Sequence, residues 1–178
     1  MPTKAAKEKK VVFDAVLDKF APQSGWHFIP VSSKIAEQLA FPDKNKRVVC
    51  TLNAAESWQC ALMPYQGEFF ILVNKQKRTK LGIEAGDPVA VELVRDESQY
   101  GLPMPEELRE VLNQDPDGDT LFHALTPGKQ RSLIYMITNV KDIDRRIHTA
   151  LLMVEHLKKN EGKVVGDRLY EELKRPSR

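Results

Sequence analysis

The amino-acid sequence predicts an α+β chain with a β-rich N-terminal part and a helical C-terminal part. Three observations carry the prediction. Over residues 11–95, short runs of β-branched and aromatic residues alternate with turn formers. Beyond Gly101, apolar residues recur at helical spacing. Between the two, "DESQYGLPMPEE" is crowded with turn and breaker residues. The expected divisions are a disordered basic tail over residues 1–10, a β domain over 11–100 and a helical domain over 101–178. At 178 residues, 42% hydrophobic and 29% charged, the chain has room for a buried core in one domain or two small ones.

The expected strands are "VVFDAVL", "WHFIP", "RVVCTL", "WQCALM", "EFFILVN" and "PVAVELV". Strand alternation constrains the middle hairpin. With residues 53–57 as the loop, Leu52 faces Trp58, Cys50 faces Cys60 and Val48 faces Leu62 on one apolar face, while Arg47, Thr51 and Gln59 point the other way. Two cysteines that face each other could form a redox pair or simply pack as small hydrophobes, and the second reading is preferred for a chain expected in the cytoplasm.

An internal repeat is visible. "FIPVSSKIAEQL" followed by "KRVVCTL", and "ILVNKQKRTKLGIEAGDPVAVEL", each read as strand, short helical turn ending in Leu, and second strand, with Leu81 falling on Leu39. Gly82 sits where a left-handed residue would end the second helical turn, and Gly86-Asp87 turns the chain into the last strand. The stretch "KQKRTKLGIEAGDPVAVEL" resembles the swapped-hairpin signature of AbrB-type transition-state regulators. Taken with "WHFIPV", "RVVCTLN" and "WQCALMP", the N-terminal part resembles more closely a bacterial family of unknown function. That resemblance implies a six-to-seven-stranded double-split β-barrel with a pseudo-twofold repeat. Because both half-motifs lie in one chain, the barrel would be closed within one subunit.

Beyond the boundary, three to four helices are expected: "PEELREVLN", "DTLFHAL", "PGKQRSLIYMITN" and "IDRRIHTALLMVEHLKKN", with "DRLYEELK" adding a last turn or two. Ile143, Ile147, Leu151 and Val154 are expected to form the buried stripe of the fourth, capped by Asp142. "PGKQRS" lacks the glycine of a phosphate-binding loop and follows a helix rather than a strand. Thr126 as N-cap and Pro127 at the first helical position account for it. "PEELREVL", "LTPGKQRSLIYMI" and "KDIDRRI" are similar to the C-terminal segment of the YdeI/OmpD-associated family, which carries a bacteriocin-protection label. This chain keeps the basic character of the family's helix starts but not their Ser and Thr.

Several chemistries are disfavoured by the residues. "DPDGDT" alternates acids as an EF-hand loop does, but Thr120 and Thr126 stand where Gly and Glu are required, so an acidic turn leading into a helix is expected. His148 and His156 lie two turns apart on one helix and would need a further ligand from elsewhere. No Gly-x-Ser-x-Gly or paired-cysteine motif is present. No catalytic residue, metal or cofactor is assigned. No apolar run reaches the ~20 residues of a membrane span, so the expected address is the cytoplasm. The net charge of +2 comes from the tail, where four lysines face one glutamate, so neither folded part has the excess of a dedicated nucleic-acid binder.

What remains are two basic clusters. Lys75, Lys77, Arg78 and Lys80 sit in the second helical turn of the β domain; Arg131, Lys141, Arg145 and Arg146 sit near the ends of the third and fourth helices. A solvated charged face is the bland reading and an anion site the functional one. Arg47, Asn53 and Trp58 complete the candidate ligand-binding set. Trp58 is expected in the core, or, at a rim, as a flat wall for a ligand. The expected function is a non-enzymatic binding or stress-associated module for an anionic small molecule or an acidic protein. DNA binding through the AbrB-like half and an enzyme acting on a small acidic metabolite are the alternatives. Nucleic acid is the less favoured partner, and no membrane is expected.

Overall fold

The computed structural model describes residues 9–21 and 25–176. The tail expected over residues 1–10 falls, for residues 1–8, outside the described residues, and Lys10 already opens a strand, paired with Glu92 at 3.0 Å. The chain divides into two compact units, Met1–Glu97 and Ser98–Arg178.

The first unit holds β1 (Lys10–Val16), β2 (Asp18–Lys19), β3 (His27–Val31), α1 (Ser33–Gln38), β4 (Arg47–Leu52), β5 (Glu56–Ala61), β6 (Met63–Tyr65), β7 (Glu68–Leu72), α2 (Lys75–Leu81) and β8 (Pro88–Arg95). They form two four-stranded antiparallel sheets, ordered β1-β8-β4-β5 and β2-β3-β7-β6. Two chain segments run from one sheet into the other. β1 continues into β2 through Leu17, and β5 into β6 through Leu62, and both leucines are buried. The eight strand segments among the described residues cover the six expected runs and extend them: β2 follows the run expected to end at Leu17, and β5 and β6 divide the run expected over 58–63 at Leu62.

The two sheets are built alike in strand order. Each sheet has a central pair, β8-β4 or β3-β7, flanked by one segment from each bent strand. Leu17 and Leu62 stand at the two bends, and Ile29 pairs directly with Ile71. In the sequence repeat Ser32 falls on Asn74, and these are the side-chain N-caps of α1 and α2. Ala40 falls on Gly82, and both take the left-handed conformation, with φ of 50° and 65°. Alternation explains the core: in β4, Val48, Cys50 and Leu52 are buried, in β8, Val89, Val91 and Leu93, and they meet Leu17, Ile29, Leu39 and Ile71 in one cluster. Each fully buried Leu or Ile contributes about 1.5–3 kcal/mol.

The middle hairpin differs from expectation in register. Its loop is three residues, with Leu52 opposite Glu56, Cys50 opposite Trp58 and Val48 opposite Cys60. Asn53 and Ala54 both adopt positive φ, which tightens the turn. The Asn53 side-chain oxygen accepts the Ala90 N–H at 2.9 Å, fixing the tip to β8. A slip of two residues leaves every side chain on its expected face, so alternation could set the face but not the partner.

The second unit contains five helices among its described residues rather than three to four: α3 (Glu106–Gln114), α4 (Pro116–His123), α5 (Pro127–Thr138), α6 (Ile143–Lys159) and α7 (Gly166–Leu173). α4 starts earlier than expected because Asp115 caps it, accepting the Gly118 N–H at 2.9 Å, and Pro116 fills its first position. "DPDGDT" is thus a cap and first turn. Asp142 caps α6 and Thr126 caps α5, while the Gln130 amide donates to the carbonyls of Phe122 and Leu125 at 3.3 and 3.2 Å, fastening the α4–α5 turn.

The stripe expected to be buried on α6 is corrected. Ile143, Ile147 and Leu151 are 62%, 39% and 51% exposed, and only Val154 of the four is buried. The core side of α6 is Ala150, Met153, Val154 and Leu157, packed with Leu108, Phe122 and Ile134. Four residues overshoot a helical turn by about 40°, so successive four-residue steps rotate off a straight seam.

Candidate anion-binding cleft

The site is built on the β7–α2 junction. β7 leaves its sheet at Leu72, and the Asn74 side chain accepts the Lys77 N–H at 2.9 Å, starting α2. Gly82 ends that helix with its N–H on the Thr79 carbonyl at 3.2 Å. These two fastenings hold Lys75, Lys77 and Arg78 over the end of the β2-β3-β7-β6 sheet. The Val73 N–H, bonded to the His27 carbonyl at 2.9 Å, brings the Trp26-His27 pair alongside.

The result is a cleft of about 720 Å³ lined by Trp26, His27, Trp58, Leu72, Lys75, Lys77 and Arg78 with neighbouring backbone. Its described lining residues include no carboxylate. Trp58 is half-buried against the β core, and the Lys77 ammonium stands 5.0 Å from its ring centroid. Trp26 is 60% exposed. Arg78 donates from Nη1 to the Val73 carbonyl at 3.2 Å, which anchors its guanidinium at the rim. His27 donates from Nδ1 to the Gly25 carbonyl at 2.9 Å. A second cleft of about 760 Å³ shares His27, Lys75 and Arg78 and runs past Lys19 and Gly82 to Glu84 and Asp87. The pair of clefts can offer aromatic faces to a planar group and ammonium or guanidinium donors to an anionic one.

Of the sequence-derived candidates, Trp58, Lys75, Lys77 and Arg78 come together here. Lys80 pairs with Glu56 at 2.6 Å, outside the cleft. Arg47 opens β4, where its carbonyl accepts the Asp96 N–H at 3.0 Å, and it does not line the cleft. Asn53 lies at the hairpin tip in the structural bond described above. Arg131, Lys141, Arg145 and Arg146 belong to the other unit. There Arg146 is committed to the fold: Nε donates to the Val140 carbonyl and Nη1 to Glu107, both at 2.9 Å. Trp26 and His27 were missed as site residues, although an indole just ahead of a strand is a visible signal.

Other reactive groups have structural occupations. Burial pushes the Cys60 thiol up to about 12 against the opposing pull of Arg47 and Lys77, and burial raises Cys50 still further. Both are free thiols. His156 is buried: Nε2 accepts the Val165 N–H at 3.0 Å and Nδ1 meets Glu172 at 2.9 Å, tying α7 to α6. An acceptor Nε2 carries no proton, so the Glu172 contact is a hydrogen bond from Nδ1 rather than a full ion pair. Asp115 is held below the usual carboxylate range by the Gly118 N–H and then Lys158. The Tyr100 hydroxyl meets His123 Nε2 at 2.7 Å, and burial raises the phenol above its ordinary value, so no activated phenolate is present there. Among the described residues, no three His, Cys, Asp or Glu side chains gather as metal ligands, and no helix is long and apolar enough to cross a membrane.

These features define a two-domain protein, a β domain with a cationic, aromatic-walled cleft joined in sequence to a helical domain. The family comparisons divide the chain in the same way. Residues 13–93 match the model of a domain of unknown function (DUF1905), and residues 102–160 match the family described as bacteriocin-protection, YdeI or OmpD-associated. No curated protein matches the chain.

Proposed function

We propose that the N-terminal domain is a non-enzymatic binding module for a small anion that also carries a planar or aromatic group. The supporting observation is the convergence of two indoles and three cations on one cleft whose described lining residues include no carboxylate. Indole faces and cationic donors are complementary to a flat ring bearing a phosphate or carboxylate. The like strand order of the two sheets supports a double-split barrel of the AbrB-related type, closed within one subunit. On this reading the protein is a bacterial, cytoplasmic, stress-associated binder, and its ligand is a metabolite-sized anion rather than duplex DNA.

Both tryptophans line the cleft, so intrinsic fluorescence reads its occupancy directly. The full chain is titrated with nucleoside monophosphates, aromatic carboxylates, the corresponding neutral nucleosides and inorganic phosphate. Saturable quenching by an aromatic anion, with Kd below about 1 mM, is expected. Lys75→Ala combined with Lys77→Ala is expected to weaken it at least tenfold, and the neutral nucleoside to bind no better than that variant. Absence of a saturable response from every aromatic anion would refute the proposal. Turnover of a bound compound would replace it with the enzyme reading.

A further inference from the structure

We infer that the helical domain carries a docking groove for a cationic amphipathic helix of a partner protein, between α3 and α6. The groove is about 780 Å³ in volume, and Val111, Ile147, Leu151 and Val154 form its floor. Ile143 continues this aliphatic row one turn toward the start of α6, where it is 62% exposed. Branched aliphatic side chains at 143, 147 and 151 repeat every four residues, the spacing at which one helix presents anchors to another. The row is about 12 Å long at the helical rise, which a partner helix of about three turns would cover.

Charge selects the occupant. The described residues of the groove lining contribute five carboxylates and a single cation, Lys158, and that ammonium is already engaged by Asp115 at 2.9 Å. Glu106 and Glu110 stand one turn apart on α3 along one wall, and Glu155 stands on α6. Some of these acids have local partners: Glu107 meets Arg146 at 2.9 Å and Glu155 meets Lys159 at 2.6 Å. Among the described residues Glu106 meets Arg109 at 3.9 Å, and its side chain is 87% exposed. A second copy of this chain would bring the same acidic walls with it, setting carboxylate against carboxylate around the apolar row. A helix with Lys or Arg flanking its apolar face matches both features.

The test uses the full chain and a fluorescein-labelled synthetic helix of about five turns, with leucines at i, i+4, i+7 and i+11 and lysines or arginines elsewhere. A version with glutamates in place of the cations and a scrambled cationic version are the controls. Fluorescence anisotropy is expected to show saturable binding of the cationic helix alone. Leu151→Lys, a change at an exposed position, is expected to weaken it at least tenfold. Glu106→Lys combined with Glu110→Lys is expected to do the same and to raise affinity for the glutamate helix. Ellipticity at 222 nm verifies the fold of each variant, and the Glu106/Glu110 pair keeps the test decisive should Leu151→Lys unfold the domain. Equal binding of the cationic helix and either control overturns the inference, as do unchanged affinities in well-folded variants. So does sedimentation showing a dimer that Leu151→Lys converts to monomer, since the groove would then belong to a second copy.

Discussion

Gly118→Ala should destabilise the helical domain, against the usual direction of a glycine-to-alanine change in a helix. Gly118 stands in the first turn of α4, where alanine would ordinarily gain about 1 kcal/mol from helix propensity. Its backbone has no left-handed φ to excuse it. The obstacle is α6: a Cβ on Gly118 would fall well inside the contact distance of Val154 Cγ1, and 3.1 Å from the Asp115 carboxyl carbon that caps the helix. Val154 is buried, so its methyl has no open space into which to turn, and α4 must lift from α6. Overpacking of this kind costs about 1–3 kcal/mol. Set against the propensity gain of about 1 kcal/mol, the net loss is up to about 2 kcal/mol. For a unit of this size each kcal/mol lost lowers Tm by about 4–8 °C. Thermal melts at 222 nm report the helical unit, and Val154→Ala supplies the control. It costs stability alone by opening a cavity, but in its background Gly118→Ala should become neutral or stabilising, giving a coupling of about 1 kcal/mol or more. A Gly118→Ala protein that melts higher than wild type, or a double variant whose losses simply add, would refute the argument.

The sequence repeat gives a paired prediction at the ends of α1 and α2. Ala40→Gly should raise stability by about 0.5–1 kcal/mol and Gly82→Ala should lower it by about 1 kcal/mol, because both positions are left-handed and only one has the residue suited to it; urea denaturation of the two variants checks the opposite signs. Cys60 and Cys50 should resist iodoacetamide at pH 8 in the folded protein, since a thiol pushed up to about 12 holds almost no thiolate there, and unfolding in urea should restore the ordinary labelling rate. Mass spectrometry after timed labelling measures both, and rapid alkylation of the folded chain would contradict the burial of these residues.

The strands were legible because their signal is local. β-branched runs between turn formers mark β3, β4, β7 and β8 without knowledge of their neighbours, and the repeat placed Gly82 in its left-handed position. Register was not legible, since Cys50 opposite Trp58 and Cys50 opposite Cys60 satisfy the same alternation, and only the positive φ values of Asn53 and Ala54 decide between them. The bend at Leu62 was hidden for a similar reason: a buried leucine inside an apolar run reads as one more strand residue, whereas the strand expected to end at Leu17 runs on as β2 in the other sheet. Likewise, the α6 periodicity established a helix, but the side facing the core is chosen by α3, α4 and α5, which a single helical wheel does not contain.

The same division between local and long-range information separates the candidate residues. Lys75, Lys77 and Arg78 were recognisable as a cluster because one helix carries them, whereas Trp26 and His27 reach them only through the β3–β7 pairing. Arg146 shows the opposite error: next to Arg145 it reads as half of a basic patch, yet Glu107, far away in sequence, and the Val140 carbonyl absorb its guanidinium. A basic residue therefore counts toward an anion site only after its own fold has declined to use it. By that criterion Lys75 and Lys77, which line a cleft without a carboxylate among its described residues, remain stronger candidates than Arg146. Arg78 stands between them, one nitrogen given to the Val73 carbonyl and the rest of its planar fork still turned to the rim.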